Sequence, residues 1–267
     1  MTIRKIYTVL FVSLLSGFFI NILAQEDTNS TPLMVTDRPD ETESSKVVPK
    51  GLLQVETGSL YETFDDNDIT SERLVYNTTL LRYGLLENLE LRLGWNFEEQ
   101  RTKIAGIQRE DVLSGLSPLL LGLKINITDE KNGLPEIGLV GHLFLPFAAS
   151  DDYKLETTGA DFRLAFSHTL SEKSSLGYNI GAEWGNDDPS MAYIYSISYG
   201  YSITDRLGFF AEIYGDLPEN AQANHFWDTG FTYLLRPRIQ IDLLGGSSIT
   251  AGQDFFLSAG ISFRVPN

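Results

Sequence analysis

Residues 89–98 read Leu-Glu-Leu-Arg-Leu-Gly-Trp-Asn-Phe-Glu, an unbroken alternation of apolar and polar side chains. Successive side chains of a strand point to opposite faces, so Leu89, Leu91, Leu93, Trp95 and Phe97 share one surface. Glu90, Arg92, Gly94, Asn96 and Glu98 share the other. A soluble sheet could do this once, with one face on a core and one in water. Here the alternation returns along nearly the whole chain, in segments of about ten residues parted by turns. That is the pattern of an outer-membrane β-barrel with an apolar outside and a polar lumen.

Read by alternation, the chain holds twelve strands, at 51–64, 73–85, 89–98, 116–127, 136–147, 160–170, 175–185, 192–203, 207–216, 225–235, 238–246 and 254–264. The fold class is therefore all-β, an up-and-down antiparallel barrel spanning a membrane. An even count suits a single-chain barrel, and strand twelve must close on strand one because an open edge cannot survive in lipid. Short links at 87–88, 171–174, 204–206 and 236–238, with a longer one at 128–135, alternate with longer links at 65–72, 100–114, 148–159, 217–224 and 246–253. The link at 186–191 is intermediate. Tight turns are thus expected at the periplasmic end, with both termini, and longer loops at the extracellular end. A secreted β-sandwich would make the inward face uniformly apolar. Here that face is rich in glycine and serine, with scattered charges.

The compartment follows from the first 24 residues. Arg4 and Lys5 precede an apolar run from Ile6 to Ile22, which gives way to Ala24-Gln25-Glu26-Asp27. The run is short for a spanning helix and fits a signal peptide cleaved after Ala24. Export to the outer membrane of a Gram-negative bacterium is the expectation, with barrel-assembly machinery, membrane lipid and lipopolysaccharide as partners. The chain has no cysteine, which closes the lipoprotein route and any disulfide framework. Its formal charge of −16 becomes −18 when Arg4 and Lys5 leave with the leader, and no basic patch stands out, so nucleic acid is not an expected partner. The domains are then the leader at 1–24, an N-terminal segment at 25–50 and the barrel at 51–267.

Projecting the inward positions places Gln54, Glu56, Arg82, Glu90, Arg92, Lys124, Gln240, Asp242 and Arg264 in the periplasmic half of the lumen. His142, Asp161, Arg163, Glu183, Glu212 and Asp228 lie above them. Twelve strands fall between the filled eight-stranded barrels and the aqueous sixteen-stranded porins. The mixed signs read either as a lattice of mutually satisfied charges or as a constriction that selects solutes. Segment 25–50 is too polar for a strand and carries Asp37, Arg38, Asp40, Glu41 and Glu43 beside Pro39. Starting on the periplasmic side, it could fold back into the lower lumen, with Thr36 to Ser44 as an ordered plug. Arg38 would then pair with Glu56, Glu90 or Asp242, and Asp37 or Asp40 with Arg82 or Arg92. The alternative is a disordered periplasmic leader.

Enzyme chemistry has little support. The three histidines, His142, His168 and His225, have no serine placed convincingly beside them, and no histidine–carboxylate cluster has metal-ligand spacing. No cofactor is expected. Acidic tips at 64–68 and 186–188 read as solvated loops, or as chelators of cations that bridge lipopolysaccharide.

Several stretches resemble one family. Residues 36–44, Thr-Asp-Arg-Pro-Asp-Glu-Thr-Glu-Ser, are followed by Val48-Pro49-Lys50-Gly51 and Gln54-Val55-Glu56. With Leu81-Arg82-Tyr83-Gly84, Leu89-Glu90-Leu91-Arg92, Leu121-Gly122-Leu123-Lys124, Ser175-Leu176-Gly177-Tyr178-Asn179 and Phe210-Ala211-Glu212, they are similar to the family of the MetA pathway of phenol degradation. The resemblance covers essentially the whole mature chain. It implies an outer-membrane, transporter-like barrel, linked in some members to uptake of aromatic compounds. The function so read is a transporter or channel for small, apolar or aromatic solutes, gated by the N-terminal segment. A structural barrel without transport is the alternative.

Overall fold

The computed structural model describes residues 33–265, apart from 67, 186, 188, 189 and 251. The leader expected at 1–24, and Asn67, Asn186 and Asp188 of the acidic tips, lie outside the described residues. Among those described, twelve antiparallel strands form the barrel: β1 (Leu53–Asp66), β2 (Ile69–Leu86), β3 (Leu89–Ile104), β4 (Leu119–Thr128), β5 (Glu136–Leu145) and β6 (Gly159–Thr169), then β7 (Ser174–Trp184), β8 (Met191–Ser202), β9 (Leu207–Pro218), β10 (Asn224–Arg236), β11 (Ile239–Ser248) and β12 (Gln253–Val265). Each pairs with its sequence neighbours, and β1 also pairs with β12 from Leu53↔Val265 to Phe64↔Gln253, which closes the ring. On the inside of that seam Arg264 Nε and Nη2 donate to Gln54 Oε1 at 3.0 and 2.9 Å.

Burial is inverted relative to a soluble protein, in which charged residues are almost never fully buried. The largest fully buried side chains include Arg82, Arg92, Lys124, Gln54, Glu56 and Glu90, while Leu121, Leu123, Ile180, Ile197 and Leu243 stand exposed on the outside. The alternation explains the inversion. On β3, Glu90, Arg92, Gly94 and Glu98 are buried in the lumen while Leu91 and Phe97 are exposed outside. A smaller apolar patch also faces inward, where Phe210, Leu244 and Phe256 pack together with Leu60 and Tyr214.

Three local readings need correction. The link expected at 65–72 is a tight turn, because β1 and β2 stay paired as far as Asp66↔Ile69. Beyond the membrane both faces meet water, so alternation fades while backbone pairing continues. The same holds for the start of the 100–114 link, where β3 runs to Ile104 and pairs with a two-residue strand, Ile107–Gln108. The fourth strand is not continuous over 116–127. It breaks into Leu113–Leu116 and β4 at Ser117–Pro118, since proline has no N–H to give the ladder. Ser117 bridges the gap: its N–H donates to Asn96 O at 3.0 Å, and its Oγ accepts from Asn96 N at 2.9 Å. β2 carries a bulge between Val75 and Asn77, which brings both Arg73 and Val75 to the inside along with Thr78 and Arg82.

One contact ties the 148–159 link to the intermediate link that follows β7. Asp187 accepts hydrogen bonds from Glu156 N (2.9 Å), Thr157 N (2.7 Å) and Thr157 Oγ1 (2.9 Å). The Glu156 N–H, with those of Thr157, holds its carboxyl below the usual 3.8. A depressed carboxyl stabilises the folded link at any pH above its ordinary value and loses that contribution as pH falls through the lower one. Amide exchange at Glu156 and Thr157, corrected for its intrinsic pH dependence, should therefore accelerate only below about pH 3.8. Asp187→Asn should exchange quickly at every pH. A second expectation concerns the outside. Leu123, 48% exposed near the middle of β4, should cost about 2–4 kcal/mol of folding stability when changed to Arg, read from urea-dependent folding into lipid vesicles.

Candidate functional site: a segment folded into the lumen

Residues 34–48 lie inside the barrel, held mainly by hydrogen bonds and ion pairs to its inward side chains rather than by an apolar core. The most heavily paired is Asp37. Its Oδ2 meets Lys124 Nζ at 2.6 Å, Arg92 Nη1 at 2.9 Å and Arg82 Nη1 at 3.0 Å. Its Oδ1 accepts from the N–H of Ser44 at 3.0 Å and the Ser44 hydroxyl at 2.8 Å, closing the segment into a loop. The three cations come from β2, β3 and β4 and are at most 2% exposed. Removing such groups from water costs several kcal/mol per ion, so they persist only with charged partners and well-formed hydrogen bonds. The barrel supplies part of this: Arg82 also binds Glu90 through Nε (2.8 Å) and Glu56 through Nη1 (2.7 Å). The segment supplies the rest through Asp37 and Glu43.

Glu43 is gripped by both ends of one guanidinium, Arg92 Nη1 to Oε2 at 2.9 Å and Nη2 to Oε1 at 2.8 Å, with Lys124 Nζ at 3.0 Å from Oε2. Its backbone is held separately, with the N–H donating to Asn179 Oδ1 (2.7 Å) and the carbonyl accepting from Asn179 Nδ2 (3.0 Å). Arg38 lies flat against the closing seam. Its Nη2 donates to Asp242 (2.9 Å) and Ser258 (3.1 Å), and its Nη1 to Thr78 (3.1 Å). The wall here is Gly58 and Gly260, and a Cβ on either would come 2.5 Å from a guanidinium nitrogen. Only glycine leaves room for that arginine.

The β6–β9 side of the contact is lighter in charge. Glu212 accepts from Glu41 N at 2.8 Å and from the Thr42 hydroxyl, which also bonds Ser196. Asp40 accepts from Ser198 (3.0 Å), Ser45 bonds Ser167 (2.9 Å), and Glu41 pairs with Arg163 (2.7 Å). Open space remains on both sides of the segment. A cavity of ≈ 680 Å³ at the short-turn end is lined by Met34, Thr42, Ser167, Lys173, Ser198 and Phe210 among others. A second, of ≈ 470 Å³ toward the long loops, is lined by Leu80, Trp95, Leu120, His142, Phe144 and Leu155 among others. Arg38 and Glu43 line both.

The inward charges meet the segment unevenly. Glu56, Arg82, Glu90, Arg92, Lys124, Arg163, Glu212 and Asp242 all bond it; Glu90 does so by accepting from Val48 N at 2.8 Å. His142 is buried against Asp161, Nδ1 to Oδ1 at 2.8 Å, and faces the second cavity. Glu183 lies across the β6–β7 ladder from Asp161, and Arg264 belongs to the seam. Of the pairings open to Arg38, its side chain takes Asp242, and its backbone N–H goes to Glu56 at 2.9 Å. Asp37 takes both arginines, and Asp40 faces the opposite wall. Glu43 is one of the charges read in the segment, and Asn179, Ser196 and Ser198 fall on polar strand positions in the sequence reading, but none of them, nor Thr42 or Ser45, was assigned a partner from sequence. The small inward residues of β7 and β8 were the one available signal, because they leave room for a chain. His168 lies against Tyr178 and His225 bonds Tyr195.

The fold and this interior define a class: an outer-membrane-type β-barrel whose bore is crossed by its own N-terminal segment. The chain belongs to the family described as "Putative MetA-pathway of phenol degradation", which matches residues 36–265, segment and barrel together. Its fold is similar to that of an outer membrane channel from Pseudomonas putida F1, at 14% identity, over 86% of this chain and 100% of that one, with a TM-score of 0.63. It is also similar to the NanC porin (11% identity, 80% and 100% covered, TM-score 0.51). The translocator domain of the autotransporter NalP from Neisseria meningitidis is a third (10%, 81% and 89%, 0.53). At these identities the likeness establishes the fold. No curated protein matches the chain in sequence.

Asp37→Asn should leave three buried cations short of a charged partner, at a cost of about 3–5 kcal/mol. The loss falls on the segment, so the Ser44 amide should exchange at least a hundredfold faster while the barrel keeps its heat-modifiable gel mobility. Unchanged exchange at Ser44 would show that Asp37 does not hold the loop.

Proposed function

We propose that this chain, exported by a leader cleaved after Ala24, is an outer-membrane channel for small solutes, gated by residues 33–50. The observation that carries the reading is the pair of cavities parted at Arg38 and Glu43. Open volume on both sides of a thin, polar obstruction is what a gate needs, and a filled structural barrel has no use for it. The way the segment is held supports the same reading. The grip is made of hydrogen bonds and ion pairs, which another polar or charged group can take over one at a time, whereas apolar packing would have to be torn out whole. The family and the fold likeness to a barrel described as an outer membrane channel agree with this.

The solute class is argued from the second cavity. Its volume of ≈ 470 Å³ falls within the range of about 300–1,000 Å³ typical of small-molecule sites. The wall of Leu80, Leu120 and Phe144, all on inward strand positions, suits a small apolar or aromatic body. The charge lattice favours the competing reading, a barrel stiffened by its own segment and closed to solutes. Planar bilayers separate the two. The full mature chain should give small or infrequent conductance steps, and a chain lacking residues 26–44 larger or more frequent ones. Silence from both, with folding confirmed by gel mobility, would favour the structural barrel.

A further inference from the structure

The three cations that hold the segment form a site in their own right. Arg82, Arg92 and Lys124 converge on one carboxylate oxygen of Asp37, and Arg92 presents both Nη atoms to Glu43 in the paired geometry that selects carboxylates. We infer that this cluster is a carboxylate-binding site that the segment occupies with its own Asp37 and Glu43. A small apolar monocarboxylate arriving from the long-loop end opens the bore by replacing Glu43 on Arg92. The inference rests on the gated-channel reading above and names the solute class for it.

Four observations carry it. Arg92 and Glu43 both line the ≈ 470 Å³ cavity, so a solute there reaches the ion pair directly, with its apolar body against Leu80, Leu120 and Phe144. The exchange swaps one carboxylate for another and leaves the buried charge balanced, which avoids the cost of an unpaired guanidinium. Glu43 is the exchangeable partner: its side chain is 14% exposed, against 4% for Asp37. Asp37 keeps Arg82 and Lys124 throughout, and Asn179 keeps the Glu43 backbone, so the side chain swings while the segment stays rooted. Glu43 and Arg38 part the two cavities, so the swing of Glu43 removes one of the two side chains between them. Glu43 is a tethered competitor, present at an effective concentration on the order of millimolar or above, so the solute acts in that range.

The test uses the full mature chain in planar bilayers, with sodium benzoate titrated against sodium chloride at constant ionic strength and benzamide as the neutral isostere. Millimolar benzoate should raise open probability several-fold, and benzamide should not. Glu43→Gln should move the benzoate midpoint down about tenfold, since the competitor has lost its charge. Arg92→Lys, which cannot grip a carboxylate at two points, should move it up. If Glu43→Gln fails to fold by gel mobility, Glu43→Asp, which withdraws the carboxylate by one methylene, should shift the midpoint in the same direction. An equal response to benzamide, or a midpoint unmoved by the change at Glu43, would overturn the inference. The 26–44 deletion separates the two levels. If it conducts and benzoate leaves the full chain unaffected, the carboxylate site fails and the gated channel stands. If it conducts no better than the full chain, the gate itself fails, and the inference with it.

Discussion

The buried ion-pair hub at Asp37 is the interaction on which the rest of the interior depends. Three cations and one carboxylate oxygen meet where water is scarce, and none of the cations could stay there alone. Each partner comes from a different element: β2, β3, β4 and the N-terminal segment. The hub therefore does two things at once. It makes an inward-facing basic wall tolerable, and it fixes the depth at which the segment crosses the bore. Arg38 on the seam and Glu43 on Arg92 then follow from the position of Asp37, because a few residues of chain on either side cannot reach elsewhere.

Lipid explains why such a hub can exist. Outside the barrel there is no water, so the wall must present Leu, Ile, Val and aromatic side chains and satisfy every backbone group within the ring. Polar residues are pushed inward by the same alternation, into a space too narrow for bulk solvent and too polar to be left dry. Charges there find one another. The segment enters this lattice as a polar insert, held by hydrogen bonds and ion pairs to the inward side chains. The inward apolar patch of Phe210, Leu244 and Phe256 lies apart from the hub, so the two chemistries do not compete.

The sequence was most legible where two-residue periodicity is enforced by lipid on one side and lumen on the other. The inward assignment of Arg82, Glu90, Arg92 and Lys124 needed nothing more. It was least legible beyond the membrane, where both faces of a strand meet water and alternation stops carrying information, as at 65–72 and 100–104. Pro118 broke a strand that alternation alone would have run through, and the bulge at Val75–Asn77 moved a face without any residue that announces it. Within the segment, the charge of Asp37 and Arg38 indicated partners of opposite sign but left several open. Glu43 was legible as one of the segment's charges but not as the partner of Arg92, because an acidic residue in a polar leader looks solvated until a guanidinium is seen to face it.

By itself the chain's alternation determined the barrel, its inside and outside, its approximate strand count and the charged character of its lumen, because those follow from local geometry and from the solvent on each side. What only the tertiary structure decided is which charges meet. Residues 37 and 124, or 38 and 242, are far apart along the chain, and no local rule relates them. Closing the ring of strands brings all the inward side chains within reach of one short segment, and burial then removes every arrangement that leaves a cation unpaired.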